Sequence, residues 1–293
     1  MIDKDGILRP DKSDENVLEL KNQKRKVMFD EKYSFRPRNI FFRMWAAFFR
    51  ALAITVFNPF MVFKYHMCTF GGENIKKLRK QGFVMTCNHV HMFDDLSIGT
   101  NLFCWRKIYF TTLDANIRRP MIGFFLRSLG GIPIPAESLS GMKKFNEDVG
   151  TLLKKKKPVL YNPEAALWPY YREIRTFKRG AFSMAVKNDV PVLPIVVLFK
   201  RQKKKNGKFK YRIFFAVCQP VEIDKTLPDE RSRSEKLQKQ VYETTKRVAE
   251  EWYAIQDCGF GDEKIHRKLK PWKDLTFEKD QWVVKTKIQG VKA

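Results

Sequence analysis

The chain has 293 residues and carries 57 Lys and Arg against 32 Asp and Glu, a formal net charge of +25. At 44% hydrophobic and 14% aromatic it is too apolar for a disordered polycation. With 30% charged residues and no uncharged apolar run approaching ~18 residues, it is not expected to be a multi-span membrane protein. Its five cysteines (Cys68, Cys87, Cys104, Cys218, Cys258) are scattered with no CxxC pair, so reduced thiols are expected rather than disulfides or a zinc site. The opening stretch MIDKDGILRPDKSDENV has no apolar segment of signal-peptide type, so export is not expected. Such a surplus of positive charge must face something anionic: nucleic acid, an anionic membrane surface or phosphorylated substrates.

Residues 1–38 mix ten basic with eight acidic residues and read as a polar arm. From Ile40 to Cys68 there is no acidic residue, and aromatic and aliphatic side chains crowd together. The longest uncharged stretch, Ala51 to Phe63, has 13 residues and is interrupted by Asn58-Pro59. As helix it covers about 20 Å, short of the ~30 Å hydrocarbon core, and proline is expected to break it. Two short helices in the membrane interface fit best, with Arg43, Arg50 and Lys64 at headgroup level and Trp45 and the phenylalanines beneath.

Strand and helix signals then alternate. Phe83–Cys87, Ile108–Thr112, Val159–Tyr161 and Val190–Phe199 read as strands, and Asp94–Leu102, Ser140–Leu153 and Gly180–Lys187 as helices. The expected fold is α/β, a largely parallel central sheet covered by helices and preceded by the interfacial helices. Asn206-Gly207 marks a hairpin between Leu193–Lys200 and Phe209–Cys218. A last helix from Ser232 to about Gln256 is expected to open with a Ser232/Glu235 capping box. The expected division is an arm at 1–38, interfacial helices at 39–69, the α/β domain at 70–257 and a basic, aromatic tail at 258–293.

The chemistry concentrates in Cys87-Asn88-His89-Val90-His91-Met92-Phe93-Asp94-Asp95. A histidine at a strand-to-helix junction with a carboxylate five residues on makes a base and its orienting partner. Asp94 would keep one ring nitrogen of His89 protonated, leaving the other to accept a proton from a substrate hydroxyl. It would also stabilise the resulting imidazolium. Alone, the pair is unspecific: His89 is equally readable as a core histidine, and Asp94 or Asp95 as a helix N-cap. His91 competes for the base role but has no Asp five residues beyond it. Cys87 invites a cysteine–histidine reading, but strand alternation points its side chain away from the loop.

Order along the chain adds specificity. The sequence resembles the glycerolipid acyltransferase superfamily, the lysophospholipid acyltransferases of PlsC type, over about Gly71 to Phe199. The His-x4-Asp block is Asn88-His89 to Asp94, preceded by Gly71-Gly72-Glu73-Asn74. The second block, a Gly-Gly-Ile-like turn after an apolar helix, corresponds to Gly123 through Gly130-Gly131-Ile132-Pro133-Ile134. The third is similar to Pro163-Glu164-Ala165-Ala166 with Phe177-Lys178-Arg179-Gly180-Ala181, and the fourth to Val190-Pro191-Val192-Leu193-Pro194-Ile195. Two departures stand out: Pro135-Ala136 occupies the place of an arginine thought to grip the acceptor phosphate, and Ala165-Ala166-Leu167-Trp168 replaces Gly-Thr-Arg-Ser.

The resemblance implies transfer of an acyl group from a thioester to the hydroxyl of a lysophospholipid, most simply 1-acylglycerol-3-phosphate. It implies His89 and Asp94 as catalytic, with Glu164 in the acceptor site. Arg172, Arg175 and Lys178 are candidates to replace the missing phosphate grip. No cofactor or metal is implied; acyl-CoA or acyl-carrier protein would be the donor substrate. The expected partners are an anionic membrane surface, the lysophospholipid and the donor, with no nucleic acid, and the expected location is the cytoplasmic face of the membrane, peripheral or monotopic. A catalytically eroded, membrane-binding family member is the alternative. Lys154–Lys157 and Lys203–Lys205 bring no nucleic-acid motif with them.

Overall fold

A computed structural model describes residues 10, 27–36, 39–203, 209–257 and 274–284. Seven strands, β1 (Cys68–Phe70), β2 (Val84–Cys87), β3 (Tyr109–Leu113), β4 (Gly131–Ile134), β5 (Val159–Tyr161), β6 (Val192–Lys203) and β7 (Phe209–Val217), form one sheet. Their order is β1-β7-β6-β2-β5-β3-β4. Every neighbouring pair is parallel except β6 and β7, which pair antiparallel from Ile195–Val217 to Lys203–Phe209. That pair is the anticipated hairpin; Asn206-Gly207 itself lies outside the described residues.

Alternate strand residues feed two cores, as a period of two requires. Val84, Val159 and Val192 face one layer with Phe145, Phe182 and Trp252; Met85, Leu160 and Leu193 face the other with Met61, Ile75 and Phe103. The first layer is built by α7 (Leu139–Lys154), α8 (Gly180–Lys187) and α9 (Glu230–Asp257). The second holds α1 (Ile40–Leu52), α2 (Asn58–Tyr65), α3 (Glu73–Lys77) and a π-helical turn at Ile98–Leu102 continuing α4 (Asp94–Ser97). Between β3 and β4 lie α5 (Asp114–Ile117) and α6 (Pro120–Leu129).

Several local expectations need correcting. The α9 helix starts at Glu230, because Asp229 accepts from the Ser232 N–H at 2.9 Å and from its hydroxyl at 2.7 Å. Asp229, not Ser232, is therefore the cap. The Gly-Gly of the second block is a helix end and a strand start rather than a turn: Gly130, at φ +109°, closes α6, and Gly131 opens β4. The arm does not end cleanly at residue 38. Phe29 and Phe35 are buried, and the Phe35 ring meets Phe145 edge-on at 5.8 Å, so 27–36 belongs to the α/β domain. The tail also contributes a hairpin of β8 (Leu275–Glu278) and β9 (Gln281–Val284), and the Trp282 indole N–H on β9 donates to the Val248 carbonyl at 3.0 Å.

The largest correction concerns the apolar segment. Proline does not break it: α1, a π-helical turn at Ala53–Phe57 and α2 form one continuous helix, Ile40–Tyr65, of 26 residues. The ring of Pro59 would crowd the carbonyl four residues back in a regular helix, and the widened π turn just before it provides the room. At 1.5 Å per residue this helix of 26 residues is about 39 Å long, enough to cross a bilayer. It nevertheless lies along the domain, touching it near both ends. Arg50 donates to the Phe103 and Cys104 carbonyls, both at 2.9 Å; the Phe57 ring meets Phe93 at 5.3 Å and the Tyr65 ring meets His91 at 4.8 Å. Its inward side chains Phe42 and Phe49 pack on Phe124 of α6, while Phe41, Met44, Trp45, Phe48 and Leu52 form an exposed stripe.

Candidate active site

The site forms where β2, β5 and β6 release their C-terminal ends. Asn88 continues the sheet ladder with its side chain: its amide donates to the Val197 carbonyl at 2.9 Å and accepts from the Val197 N–H at 2.7 Å. This fixes the direction in which the following loop leaves β2. The backbone of that loop is then gripped by the segment after β5. Glu164 accepts from the His89 N–H at 3.1 Å, and the His89 and Val90 carbonyls accept from Trp168 N–H at 3.1 Å and Tyr170 N–H at 2.7 Å.

Asp94 closes the loop. One carboxylate oxygen, Oδ2, accepts from the Val90 and His91 N–H groups at 2.9 and 2.8 Å and lies 3.3 Å from His89 Nδ1. The base-orienting and loop-capping readings of Asp94 are thus combined in one atom. Its side chain is 1% exposed, whereas that of His89 is 19% exposed. The acid is sealed and the imidazole stays partly exposed. Since Nδ1 faces Asp94, Nε2 is the nitrogen that remains for substrate.

Burial disfavours a charged His89. The hydrogen bond that His89 donates to Asp94 and the negative charges of Asp95, Asp94 and Glu164 more than offset this and raise its pKa above the ordinary histidine range. Asp95 is itself raised, chiefly by burial; the facing His89 and a 2.9 Å hydrogen bond from Asn162 Nδ2 act against the shift. His91, by contrast, is lowered by burial. Its Nδ1 accepts from the Phe93 N–H at 3.3 Å, and its ring sits between Tyr65 and Tyr170. It packs as a neutral core histidine. The Cys87 thiol is buried beside the Asn162 side chain at 3.0 Å and pushed well up by desolvation and then by Asp94, Asp95 and Glu164, so it is no nucleophile.

The anticipated binding residues divide. Glu164 is 2% exposed and serves the loop and Arg175 together: Oε1 accepts from the Arg175 N–H at 2.9 Å, and Oε2 pairs with its guanidinium at 2.8 Å. Arg175 is buried, lies 4.6 Å over the Trp168 ring and also donates to the Ala166 carbonyl. An open phosphate grip by Arg175 is therefore corrected to a brace, since its charge and one of its faces are already covered. Arg172 lies 4.7 Å over the Tyr253 ring of α9, and Lys178 is exposed, its N–H bonded to the Pro163 carbonyl at 2.7 Å.

The departures from the motifs also have a location. Ala165 adopts φ +65°, the left-handed region where glycine is unstrained. Pro135, which precedes Ala136, lines a cleft of about 210 Å³ with Asp114, Arg118 and Glu137. The arginine in that cleft, Arg118, is held by Asp114 at 2.9 Å and by the Val27 carbonyl at 2.8 Å. Sequence reasoning missed Asn162, Asp95 and the β6 role of Asn88. For Asp95 the signal was adjacency to Asp94; for Asn162 nothing local announced it.

Residues 68–198 match a family model described as Acyltransferase. This match supports the glycerolipid acyltransferase superfamily as the kinship of the α/β domain. A 1-acyl-sn-glycerol-3-phosphate acyltransferase of Chlamydomonas reinhardtii is 28% identical over 144 residues, which cover 49% of this chain and 42% of that protein. The match therefore spans less than half of that relative's length. The crystal structure of a 1-acyl-sn-glycerophosphate (LPA) acyltransferase, PlsC, from Thermotoga maritima is 21% identical, with a TM-score of 0.48, covering 74% of this chain and 97% of that one. All four motif blocks of the acyltransferase domain fall within or at the edge of the matched segment, and His89 and Asp94 lie inside it.

Proposed function

We propose that this protein is a membrane-associated acyltransferase that moves a fatty acyl group from an acyl-CoA or acyl-carrier-protein thioester to the hydroxyl of a lysophospholipid, with 1-acylglycerol-3-phosphate the simplest acceptor. The observation that carries the reading is the 3.3 Å contact of His89 Nδ1 with a sealed Asp94, beside an imidazole that stays partly open. His89 Nε2 removes the acceptor's hydroxyl proton as the oxygen attacks the thioester carbonyl. The new C–O bond forms, the C–S bond breaks, and the imidazolium returns the proton to the departing thiolate. No protein nucleophile is required, which agrees with the inert state of Cys87. Arg172 and Lys178 remain our candidates for drawing an anionic headgroup toward this edge.

The outward stripe of the long helix supports docking in the membrane plane. A helix fastened to the domain near both ends cannot cross the bilayer without carrying the domain with it, whereas lying in the interface buries Phe41, Met44, Trp45 and Phe48 at once. The cytoplasmic leaflet, rich in anionic lipid, suits the charge of +25. Incubation with lysophosphatidic acid and an acyl thioester should release free thiol; wild-type turnover by His89→Ala sinks the proposal. A catalytically eroded membrane binder, suggested by the missing arginine at Ala136, would bind vesicles and release no thiol from any lysolipid.

A further inference from the structure

Opposite the active site, at the N-terminal edge of the sheet, the fold gathers positive charge without matching it. Arg43 and Arg50 stand two turns apart on α1 and so share a face, about 10 Å from each other along the axis. Lys107 precedes β3 and holds its ammonium 5.2 Å over the Tyr109 ring. Lys157 precedes β5, the neighbour of β3, and Arg127 ends α6. Arg36 arrives from the segment 27–36, its buried Nε without a hydrogen-bond partner among the described residues.

None of these six cations takes part in an ion pair among the described residues. Arg50 and Arg127 are held by carbonyls instead, those of Phe103 and Cys104 and those of Ser34, Phe35 and Gly131. Asp148 acts on Arg127, but its carboxylate is already approached by Lys144 at 3.5 Å. The Lys107 ammonium is pushed down to about 8, by burial first and then by Arg50, Arg43, Lys157 and Arg127. Tyr109 feels Arg43, Arg36 and Arg127 together. A fold that places so many like charges together, with only the already engaged Asp148 acting on one of them, leaves room for an anion to complete it.

We infer that Arg36, Arg43, Lys107 and Lys157 form a second site on this protein, one that binds the phosphate of an anionic phospholipid headgroup apart from the catalytic centre. The occupant follows from the surroundings. Trp45 of the exposed stripe, its ring centroid 6.0 Å from that of the exposed Phe124 on α6, stands two residues from Arg43, so a phosphate held here would have its acyl chains over aromatic side chains. The acceptor at His89 is ruled out by distance. From Arg43 to Phe57, whose ring meets Phe93 beside Asp94, the helix runs about 21 Å. In a lysophospholipid the phosphate and the reacting glycerol are adjacent groups. This site would pin one end of the helix to the leaflet while the other end presents the catalytic loop. It rests on the membrane part of the proposed function and not on acyl transfer.

Vesicle binding by the full chain tests it, using phosphatidylcholine with and without phosphatidic acid. The wild type should prefer the anionic vesicles. Arg43→Gln and Lys107→Gln should each reduce that preference at least about fivefold while leaving binding to neutral vesicles unchanged. Lys107→Arg should retain it. Lys143→Gln and Lys239→Gln, on the opposite layer, should change it less than twofold. Equal losses in the two sets would mean diffuse charge and overturn the site. A fall in CoA affinity by calorimetry with vesicle preference intact would reassign the cluster to the donor's phosphates, and abolition of the preference by inorganic phosphate would reassign it to a free anion. Failure of the wild type to bind any vesicle would instead remove the membrane reading itself.

Discussion

The two ends of the long helix treat charge in opposite ways. Beside Tyr65, Asp94 and Glu164 are each met by backbone N–H groups, and Glu164 also by Arg175. At the other end, Arg43 and five further cations are left to carbonyls, a ring and one another. Buried charge held by several hydrogen bonds fixes geometry, which is what a proton-transfer site requires. Charge left unsatisfied by the protein stores binding free energy for something outside it. One end is organised to hold an imidazole still, the other to attract an anion.

The sharpest way to break this comparison is at His89. His89→Ala should lower acyl transfer by about 10²- to 10⁴-fold in a thiol-release assay, with vesicle binding unchanged. Asp94→Asn should cost at least about 10²-fold and should also move the pH profile. Because the folded pKa of His89 is raised, its basic form is available only above the ordinary histidine range, and wild-type activity should rise with pH there. Removing the Asp94 charge lowers that pKa, so the acid limb of the variant's residual activity should shift to lower pH. A limb that stays in place would separate Asp94 from the titration.

Smaller effects sharpen the structural side. Glu164→Gln removes the buried carboxylate charge that pairs with Arg175 and should destabilise the fold by about 3–5 kcal/mol, read by denaturant unfolding. Adding Arg175→Met should recover part of that loss, since the brace is then removed as a pair. The least effect is expected at Ala165, where glycine relieves the left-handed backbone. Ala165→Gly should stabilise by about 1 kcal/mol or less, and a clear loss of stability would mean that its methyl group packs usefully.

Much of the fold was readable because it depends on local pattern. The apolar runs at Val159–Tyr161 and Val190–Phe199 and the helical spacing of Met142, Phe145, Val149 and Leu152 mark elements that the structure contains. The failures share one origin: local rules were applied where the environment decided. Pro59 should have ended a helix, and a π turn absorbed it. Residues 27–36 looked like a polar arm, yet Phe29 and Phe35 insert into the core.

The sequence by itself determined that an imidazole and a carboxylate stand five residues apart at a strand end, because so short a span leaves the chain few ways to separate them. Only the tertiary structure decided what holds and surrounds them. Glu164 reaches the His89 N–H from 75 positions away, and Asn88 meets Val197 across 109. Likewise, Arg36, Arg43, Lys107, Arg127 and Lys157 are scattered in sequence and become one charged surface only when β3, β5, α1 and α6 pack side by side. Spacing can encode what is near along the chain; which distant charges meet, and which are left without a partner, depends on the sheet order.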